Sequence, residues 1–355
     1  MLISCNTLVT APTLPEGHQL LIKEAQVKLR KTGLLVAGFA AAALMLSGCS
    51  VSTTPGGGSG DEAGSSSDEL SIGFSQATQQ SPFYVELGEG VKNAAESNGA
   101  SLEYVDANGD VTKQNNDIED LITRGVDVLL INPVDPQGIA PSIASAKAAG
   151  IPVVTVDRSA EGAAAHVGRD NVAMGELVGE AVSDALGDAG GKIIEIQGDA
   201  GGTVAMDRSE GFHRAFEGND AVQIVAGPYA EYIRANAVTA MQDLLQANPD
   251  VKVVYAHNDD MALGALQVLR ESGREDVLVA GVDGLMEAVK AIADGKQYVA
   301  TSLNDPIALG RTAAETALSA AAGDDVEAEI DAGTELVTAK NAADYVGDTL
   351  FAESK

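Results

Sequence analysis

The sequence is poor in aromatic and basic residues. It has no tryptophan, and its seven tyrosines and six phenylalanines are spread over 355 residues. An aromatic residue at the end of a strand therefore stands out as a candidate for binding. The 22 lysines and arginines are outnumbered by 52 aspartates and glutamates, which gives a formal net charge of −30. Because phosphate backbones are bound by basic faces, this balance excludes a nucleic-acid-binding function.

Cysteine is almost absent as well. Cys5 and Cys49 both precede the globular part of the chain, and there is no CxxC pair. This usage excludes a disulfide framework and argues against a thiol metal or redox centre. The four histidines lack the spacing of metal ligands. No apolar run reaches the roughly 18 residues of a membrane-spanning helix. We therefore expect no metal and no cofactor.

The amino-terminal region has the layout of a secretory signal. A basic stretch at 28–31 precedes an apolar run at 33–46, and small residues at 47–48 lead to Cys49. A basic stretch, an apolar core of this length and small residues predict a signal region over 1–48. The order Leu-Ser-Gly-Cys resembles a bacterial lipobox, in which the cysteine is lipidated and becomes the first mature residue.

Residues on either side of this signal need separate interpretations. Val27, read from an alternative start codon, is a candidate for the true initiation site, which would make 1–26 an extension of the gene model. Residues 49–68 are rich in serine, glycine and acidic residues. Such a composition cannot bury a core, so it predicts a flexible tether. A lipidated cysteine and a tether indicate a protein held at the outer face of the cell membrane.

From Leu70 onward, short runs rich in valine and isoleucine alternate with alanine-rich helical stretches. The predicted strands are 71–76, 102–106, 126–131, 151–156, 192–197, 222–226, 251–256, 277–282, 298–302 and 327–337. The predicted helices are 82–98, 111–124, 137–150, 172–186, 204–217, 233–247, 261–273 and 307–322. This alternation predicts parallel sheets with right-handed crossovers, arranged as two doubly wound α/β lobes.

Two asparagine–aspartate pairs occupy matching places in this pattern. Asn132 follows one predicted strand and Asp157 ends the next, and Asn258 and Asp283 repeat the arrangement. The separation within each pair is 25 residues. In open α/β sheets, ligands bind at the carboxyl edge of the strands. The chain is therefore predicted to place a polar pair at that edge in each of two lobes.

Two other loops resemble ion or phosphate sites only superficially. The segment 106–117 begins like a calcium loop but lacks glycine at its sixth position and glutamate at its twelfth. The glycine-rich segment 198–202 has neither a GK[ST] ending nor a complete GxGxxG. A strand-to-helix turn and close helix–strand packing are the simpler interpretations.

Several stretches together resemble one family. In chain order they are Ser81-Pro-Phe-Tyr84, Leu129-Leu-Ile-Asn-Pro133, Val156-Asp-Arg158, Ile194-Glu-Ile-Gln-Gly198, Arg208-Ser-Glu-Gly-Phe212, Asn258-Asp-Asp-Met-Ala-Leu-Gly-Ala265 and Gly281-Val-Asp-Gly284. From Leu70 to about Val337 the chain is similar to the periplasmic sugar-binding proteins of ABC importers, in the ribose/galactose class, and resembles the ribose-binding members most. The fold so implied is that of a type I periplasmic binding protein.

This resemblance implies two lobes joined by three crossings, near 170–171, 304–305 and 333–334. The implied first lobe comprises 69–170 plus 305–333. The implied second lobe comprises 171–304 plus 334–345, and 346–355 would form a tail.

The resemblance also implies a ligand site. Asp157 and Asp283 would accept from sugar hydroxyls, and Arg158 and Arg208 would donate to them. The remaining implied ligand-binding residues are Ala77, Ser81, Phe83, Tyr84, Asn132, Tyr232, Asn258 and Asn304. Gln79 and Gln80 are candidates for the cleft mouth.

Each of these residue types has a structural alternative. An aspartate or asparagine after a strand often caps a helix or forms a turn, and an arginine beside an aspartate is often a surface pair. Phe83 or Tyr84 could belong to the lobe core.

Five positions depart from the ribose pattern. By ungapped alignment these are Ala77, Ser81, Tyr84, Tyr232 and Asn304. The two tyrosines add hydroxyls to walls that are apolar in ribose binders, which opens the choice of ligand to other sugars and polyols.

The expected function is therefore ligand capture without a covalent step. The resemblance implies a monomer that closes on a ribose-like pentose, or a related sugar or polyol, and docks on an ABC permease driven by a cytoplasmic ATPase. A receptor that presents a sugar or furanosyl autoinducer to a membrane sensor is the alternative. Repressors of the same fold need an amino-terminal helix-turn-helix, and the chain has a lipobox there. No Ser/His/Asp or Cys/His set favours an enzyme.

Overall fold

The computed structural model describes residues 69–354, so the predicted signal region, Cys49 and the tether lie outside the described residues. The strands are β1 (Ser71–Gln76), β2 (Ser101–Asp106), β3 (Val128–Ile131), β4 (Val153–Val156), β5 (Ala165–Gly168), β6 (Gly191–Gln197), β7 (Val222–Tyr229), β8 (Val251–Ala256), β9 (Leu278–Asp283), β10 (Tyr298–Leu303), β11 (Glu329–Asp331) and β12 (Leu336–Thr338). The helices are α1 (Pro82–Ser97), α2 (Val111–Arg124), α3 (Ala140–Ala148), α4 (Asn171–Leu186), α5 (Thr203–Arg214), α6 (Arg234–Ala247), α7 (Asp259–Glu271), α8 (Met286–Ala293) and α9 (Pro306–Ala322).

These strands form two six-stranded sheets. The strand order is β2-β1-β3-β4-β5-β11 in the first sheet and β7-β6-β8-β9-β10-β12 in the second. Every pairing is parallel except that of β10 with β12. Parallel neighbours need helical crossovers, and the alternating sequence supplies them. The predicted fold class of two doubly wound α/β lobes is thus confirmed.

The central strands are apolar because helices cover both faces of each sheet. All four residues of β3 and all four of β4 are buried. Continuous runs of valine, leucine and isoleucine are typical of parallel strands in this position. The polar positions that matter for function are therefore confined to the strand ends.

The chain passes between the sheets three times. It leaves the first sheet after β5 and enters α4, which packs on β9 and β10. It returns after β10 through α9, which packs on β3, β4 and β5. It crosses finally between β11, paired with β5, and β12, paired with β10. These three crossings lie beside the strand ends that carry the paired aspartates.

Glycines bring α4 and α5 together. A Cβ on Gly175 would overlap the carbonyl oxygen of Arg208, and one on Gly211 would overlap the carbonyl oxygen of Val172. A larger residue at either position would push α5 away from α4. This close packing fixes the position of Arg208 on α5.

The structure differs from the predicted elements in four main places. Helix α8 was not predicted. β5 was not predicted, because a strand of four residues gives little periodicity. The predicted strand region 327–337 is two short strands that belong to different sheets. The helix in the region predicted as 137–150 is shorter than predicted, because turns precede α3.

The segment that begins like a calcium loop has a structural role. Its Asp110 caps α2 by accepting hydrogen bonds from the amides of Thr112 and Lys113.

The carboxyl-terminal segment packs against the second lobe. The Met286 amide donates to the Leu350 carbonyl at 2.8 Å, and the Ala352 amide donates to the Gly284 carbonyl at 2.8 Å. Phe351 is buried, and its ring centroid lies 6.3 Å from that of Phe83. Among residues 69–354, none of the helices has the length and hydropathy of a membrane span.

Candidate functional site

The predicted polar pairs lie at the carboxyl ends of the central strands. Asn132 directly follows β3, and Asp157 directly follows β4. In the second sheet, Asn258 lies two residues beyond β8, and Asp283 is the last residue of β9. Because these strands are parallel neighbours, each pair is held at one edge of its sheet.

Both aspartates have an unusual backbone conformation. The φ angle is 65° at Asp157 and 114° at Asp283, and Tyr232 has a φ of 60°. Non-glycine residues rarely adopt positive φ, and such strain persists only where the surrounding contacts hold it. Strained residues of this kind cluster at ligand sites, which makes the three side chains candidates for contact with a ligand.

A cavity lies between the lobes at these strand ends. Its lining residues are Ser81, Phe83, Tyr84, Asp157, Val204, Arg208, Tyr232, Asn258, Asp283 and Asn304. Its volume is about 10 Å³, close to the space that one water molecule needs. The lobes are therefore closed on each other, and all but one of the lining residues, Val204, were predicted from the sequence.

On the first lobe, Arg158 organises the cavity wall. This side chain is 5% exposed. It donates to the Pro133 carbonyl at 3.1 Å and to the Tyr84 hydroxyl at 2.6 Å. Its Nε lies 3.9 Å from an Asp157 oxygen. Arg158 is thus a buried part of the site, and the surface-pair alternative is wrong for it.

On the second lobe, Arg208 is more fully paired. It donates to Asn171 Oδ1 at 2.9 Å and to the His257 carbonyl at 2.5 Å. Its third contact is with Asp283 Oδ1 at 3.2 Å. Asn304 Nδ2 also donates to Asp283 Oδ1, at 3.1 Å. Asp283 is therefore held by two donors before any ligand is considered.

A buried carboxylate supports this arrangement from behind. Glu195 lies 2.9 Å from His257 Nε2 and 2.9 Å from His213 Nε2. His257 Nδ1 accepts from the Gly198 amide at 3.2 Å, so its proton must be on Nε2, where it donates to Glu195. Glu195 thereby holds the His257 ring in place. The backbone carbonyl of the same histidine accepts the hydrogen bond from Arg208.

The two asparagines differ although their sequence positions match. Asn258 Oδ1 caps α7 by accepting from the Met261 amide at 2.9 Å, and its Nδ2 donates to the Tyr232 carbonyl at 3.3 Å. The capping alternative is therefore correct for Asn258, although the residue also lines the cavity. Asn132 is completely buried, and neither of its amide atoms has a hydrogen-bond partner among residues 69–354.

Asp199 is a cleft residue that the sequence reasoning missed. It follows β6, and its Oδ2 lies 3.1 Å from Arg158 NH2, which forms an ion pair between the lobes. Its buried Oδ1 has no partner among the described residues. A Cβ at Gly202 would overlap this carboxylate. The glycine-rich segment 198–202 therefore does more than allow close packing, because it makes room for Asp199.

Burial shifts the proton equilibria of the site. It raises the pKa of Asp157 against the opposing effect of Arg158, and it raises the pKa of Asp283 to about 6 against that of Arg208. Burial also raises the pKa of Tyr84, so its hydroxyl stays protonated and can donate. The site thus combines carboxylates, guanidinium groups, amides and hydroxyls, which suits a ligand with many hydroxyls.

Five predicted positions are not lining residues of the cavity. Ala77, Asn132 and Arg158 are buried but do not line it. Gln79 and Gln80 are exposed, and Gln80 donates to Asn108 Oδ1 at 3.1 Å. Within residues 69–354, no cluster of three or more histidine, cysteine or acidic side chains could hold a metal ion.

Comparison with known proteins gives consistent matches. The family described as periplasmic binding protein domain matches residues 72–325. Ribose import binding protein RbsB of Bacillus subtilis (strain 168) is 41% identical over 274 residues, which cover 77% of this chain and 88% of that protein. The xylitol-binding protein of Mycolicibacterium smegmatis is 34% identical, with coverage of 70% and 71%.

Solved structures show the same likeness. An ABC transporter solute binding protein from Mycobacterium smegmatis, with bound glycerol, is 65% identical with a TM-score of 0.80. The match covers 81% of this chain and 100% of that chain.

Proposed function

The chain belongs to the periplasmic binding protein family, and on that premise we propose that it captures a ribose-like pentose or a related polyol between its lobes and delivers it to an ABC importer. The family is extracytoplasmic and consists of non-enzymatic transport components. Lipid attachment at Cys49 would keep the protein near its permease. This last part of the proposal rests on the lipobox-like sequence alone.

The observation that carries the proposal is a set of buried polar groups that the protein itself does not satisfy. Within residues 69–354, Ser81 Oγ, both amide atoms of Asn132, Arg158 Nε, Asp199 Oδ1 and Tyr232 OH have no hydrogen-bond partner. Leaving such a group unpaired costs about 1–3 kcal/mol. A polyhydroxylated ligand can pair several of them at once, because each hydroxyl both donates and accepts.

Closure follows from the placement of these groups on both lobes. Asp157 belongs to the first sheet and Asp283 to the second. A ligand that contacts both binds the closed form better than the open one, so it shifts the equilibrium toward closure. Because the cavity as it stands, at about 10 Å³, has room for only about one water molecule, a sugar or polyol must enter while the lobes are apart and must be held with the lobes less tightly closed than they are here.

The aromatic walls favour a ligand with little apolar surface. Tyr84 and Tyr232 both line the cavity, and both side chains carry hydroxyls in fully buried positions. A buried hydroxyl on the cavity wall favours binding of a ligand that places a polar group against it. It disfavours a ligand that places an apolar ring face there, because the hydroxyl would then stay unpaired. Polyols such as xylitol are therefore proposed beside the pentoses.

A thermal-shift screen of the full chain tests this function. The panel is D-ribose, D-xylose, D-galactose, xylitol, myo-inositol and glycerol. A true ligand at 100 times its Kd adds about 2.7 kcal/mol to the free energy of unfolding, so its melting temperature should rise clearly. If no member of the panel raises the melting temperature, the proposed ligand class is wrong.

A further inference from the structure

The hinge is built from three adjacent chain segments. The first is Arg169–Asp170, the second is Asn304–Asp305, and the third is 332–335. The Ala332 amide donates to the Gly168 carbonyl at 2.8 Å, which joins the third segment to the first on the first-lobe side. The Leu303 amide donates to the Glu335 carbonyl at 2.8 Å, which joins the third segment to the second on the second-lobe side. The third segment therefore lies between the other two.

One side chain connects all three segments. Arg169 Nε donates to the Gly333 carbonyl at 2.6 Å, in the third segment. Its NH1 donates to Asn304 Oδ1 at 2.6 Å, in the second segment. The Asp305 carbonyl lies 3.4 Å from NH1 and 3.3 Å from NH2. A planar guanidinium can hold these acceptors together because its donors have a fixed geometry.

The same contact fixes a residue of the ligand site. Because Asn304 Oδ1 accepts from Arg169, the Asn304 amide group must point its Nδ2 the other way. There Nδ2 donates to Asp283 Oδ1 at 3.1 Å. Arg208 NH2 lies 3.2 Å from the same oxygen. A continuous chain of hydrogen bonds thus runs from the hinge to the second-lobe carboxylate.

We propose that Arg169 is a positioning residue that couples the hinge to ligand binding, by clamping the three segments in the closed geometry and by orienting Asn304 toward Asp283. It does not line the cavity, so it would act without touching the ligand. The inference rests on the proposed function for its binding readout. Its conformational readout does not depend on that function.

The binding test uses three forms of the purified full chain: wild type, Arg169→Gln and Arg169→Lys. Titration and stopped-flow binding are carried out with D-ribose and with xylitol. For the probe that binds wild type, Arg169→Gln should raise Kd about tenfold or more, mainly through faster dissociation. Arg169→Lys keeps the positive charge but lacks the planar set of guanidinium donors, so it should recover only part of the affinity.

A matched control separates coupling from general stability. Arg274 also donates to two backbone carbonyls, of Pro249 and Val251, at 3.0 and 3.2 Å, but within the second lobe. Arg274→Gln should lower the melting temperature while leaving Kd and the dissociation rate unchanged. If Arg169→Gln leaves both constants within about twofold of wild type, or if Arg169→Lys equals wild type, the coupling role is wrong.

Binding of neither probe to wild type would count against the proposed ligands. In that case a second measurement tests whether Arg169 clamps the hinge. A clamp that holds the closed geometry also favours closure before any ligand binds, and a ligand then shifts the equilibrium further. Small-angle scattering of the ligand-free proteins therefore compares their radii of gyration. A larger radius for Arg169→Gln than for wild type and Arg274→Gln supports the clamp. An unchanged radius overturns it.

Discussion

In the second lobe, Arg208 contacts Asn171, His257 and Asp283, and Asn258 caps a helix. In the first lobe, the matching asparagine has no partner for either amide atom among the described residues. Arg158 also keeps an unpaired Nε there. The two lobes repeat one sequence arrangement, yet the arginine and asparagine of the second lobe are paired internally, whereas those of the first lobe keep unpaired atoms. The unpaired atoms of the second lobe lie on other residues, among them Asp199 and Tyr232.

This difference indicates that the polar groups of the two lobes contribute differently to stability and to ligand affinity. The paired groups of the second lobe are held in place before binding, which lowers the cost of ordering them. The unpaired groups of the first lobe gain most from a ligand, because they begin unsatisfied. We therefore expect substitutions in the second lobe to change stability and affinity together, and substitutions in the first lobe to change affinity more selectively.

The largest effect is expected from Arg208→Met. It leaves Asp283 buried without its ion-pair partner, so the free energy of unfolding should fall by about 3–5 kcal/mol and binding should be lost. Arg214→Met is the matched control, because Arg214 lies on the same helix in an exposed pair with Glu210 and should cost about 0–1 kcal/mol. Urea denaturation and titration calorimetry measure both. Similar losses in the two variants would contradict a special position for Arg208.

Removing one aspartate charge at a time compares the lobes directly. Asp157→Asn and Asp283→Asn should each weaken binding, since a hydrogen bond to a charged group contributes about 1.5–3 kcal/mol. Asp283→Asn should also raise the free energy of unfolding at pH 7, because burial raises the pKa of Asp283 to about 6 in spite of its contact with Arg208, so the neutral amide removes a charge that the folded state disfavours. A loss of stability in Asp283→Asn at pH 7, measured by urea denaturation, would contradict this expectation.

The raised pKa of Asp283 predicts a pH dependence. Burial raises this pKa from 3.8 to about 6. Between these values the folded state holds the proton and the unfolded state does not, so the free energy of unfolding falls as pH rises. The slope is at most about 1.4 kcal/mol per pH unit. Affinity should weaken as pH falls below about 6, because the protonated carboxyl group loses acceptor capacity.

The difference between wild type and Asp283→Asn isolates this contribution, because the amide does not titrate. Urea denaturation from pH 4 to pH 8 should give a difference that changes up to about pH 6 and is constant above it. A difference independent of pH would mean that the Asp283 pKa is not raised.

The smallest effect on stability separates the two asparagines. Asn258→Ala removes the cap of α7 and should cost about 1 kcal/mol of stability. Asn258→Asp keeps an acceptor at that position and should restore most of it. Asn132→Ala removes two unsatisfied atoms, so stability should hold or rise while affinity falls. Chemical denaturation with parallel titrations checks this, and a matching stability loss in Asn132→Ala would show that its amide is paired within the protein.

Much of the fold follows from the sequence because long runs of β-branched residues and alanine-rich helices alternate in a regular way. The same regularity places Asp157 and Asp283 at strand ends. β5 escaped prediction because four residues between turns give little periodicity. The separation of β11 from β12 depends on which sheet has a free edge, and that is a tertiary property.

Site residues were predictable where the local sequence determines their position in the fold. They were less predictable where their position depends on how the chain crosses between the lobes. Asp199 and Arg169 belong to loops, and their partners lie far away in the sequence. Nothing near them in the chain indicates that one pairs across the lobes and the other bridges the hinge. The roles of Asn132 and Asn258 diverge for a similar reason, because only Asn258 is used as the cap of the following helix.

The central claim is that the two lobes close on a polyhydroxylated ligand, and small-angle scattering tests it most directly. Wild-type protein is measured alone and with saturating D-ribose or xylitol. The account predicts a smaller radius of gyration with at least one of them, and no such change in Asp157→Asn at the same concentration. An unchanged radius in wild type, with a ligand that calorimetry shows to be bound, would contradict closure as the mode of capture.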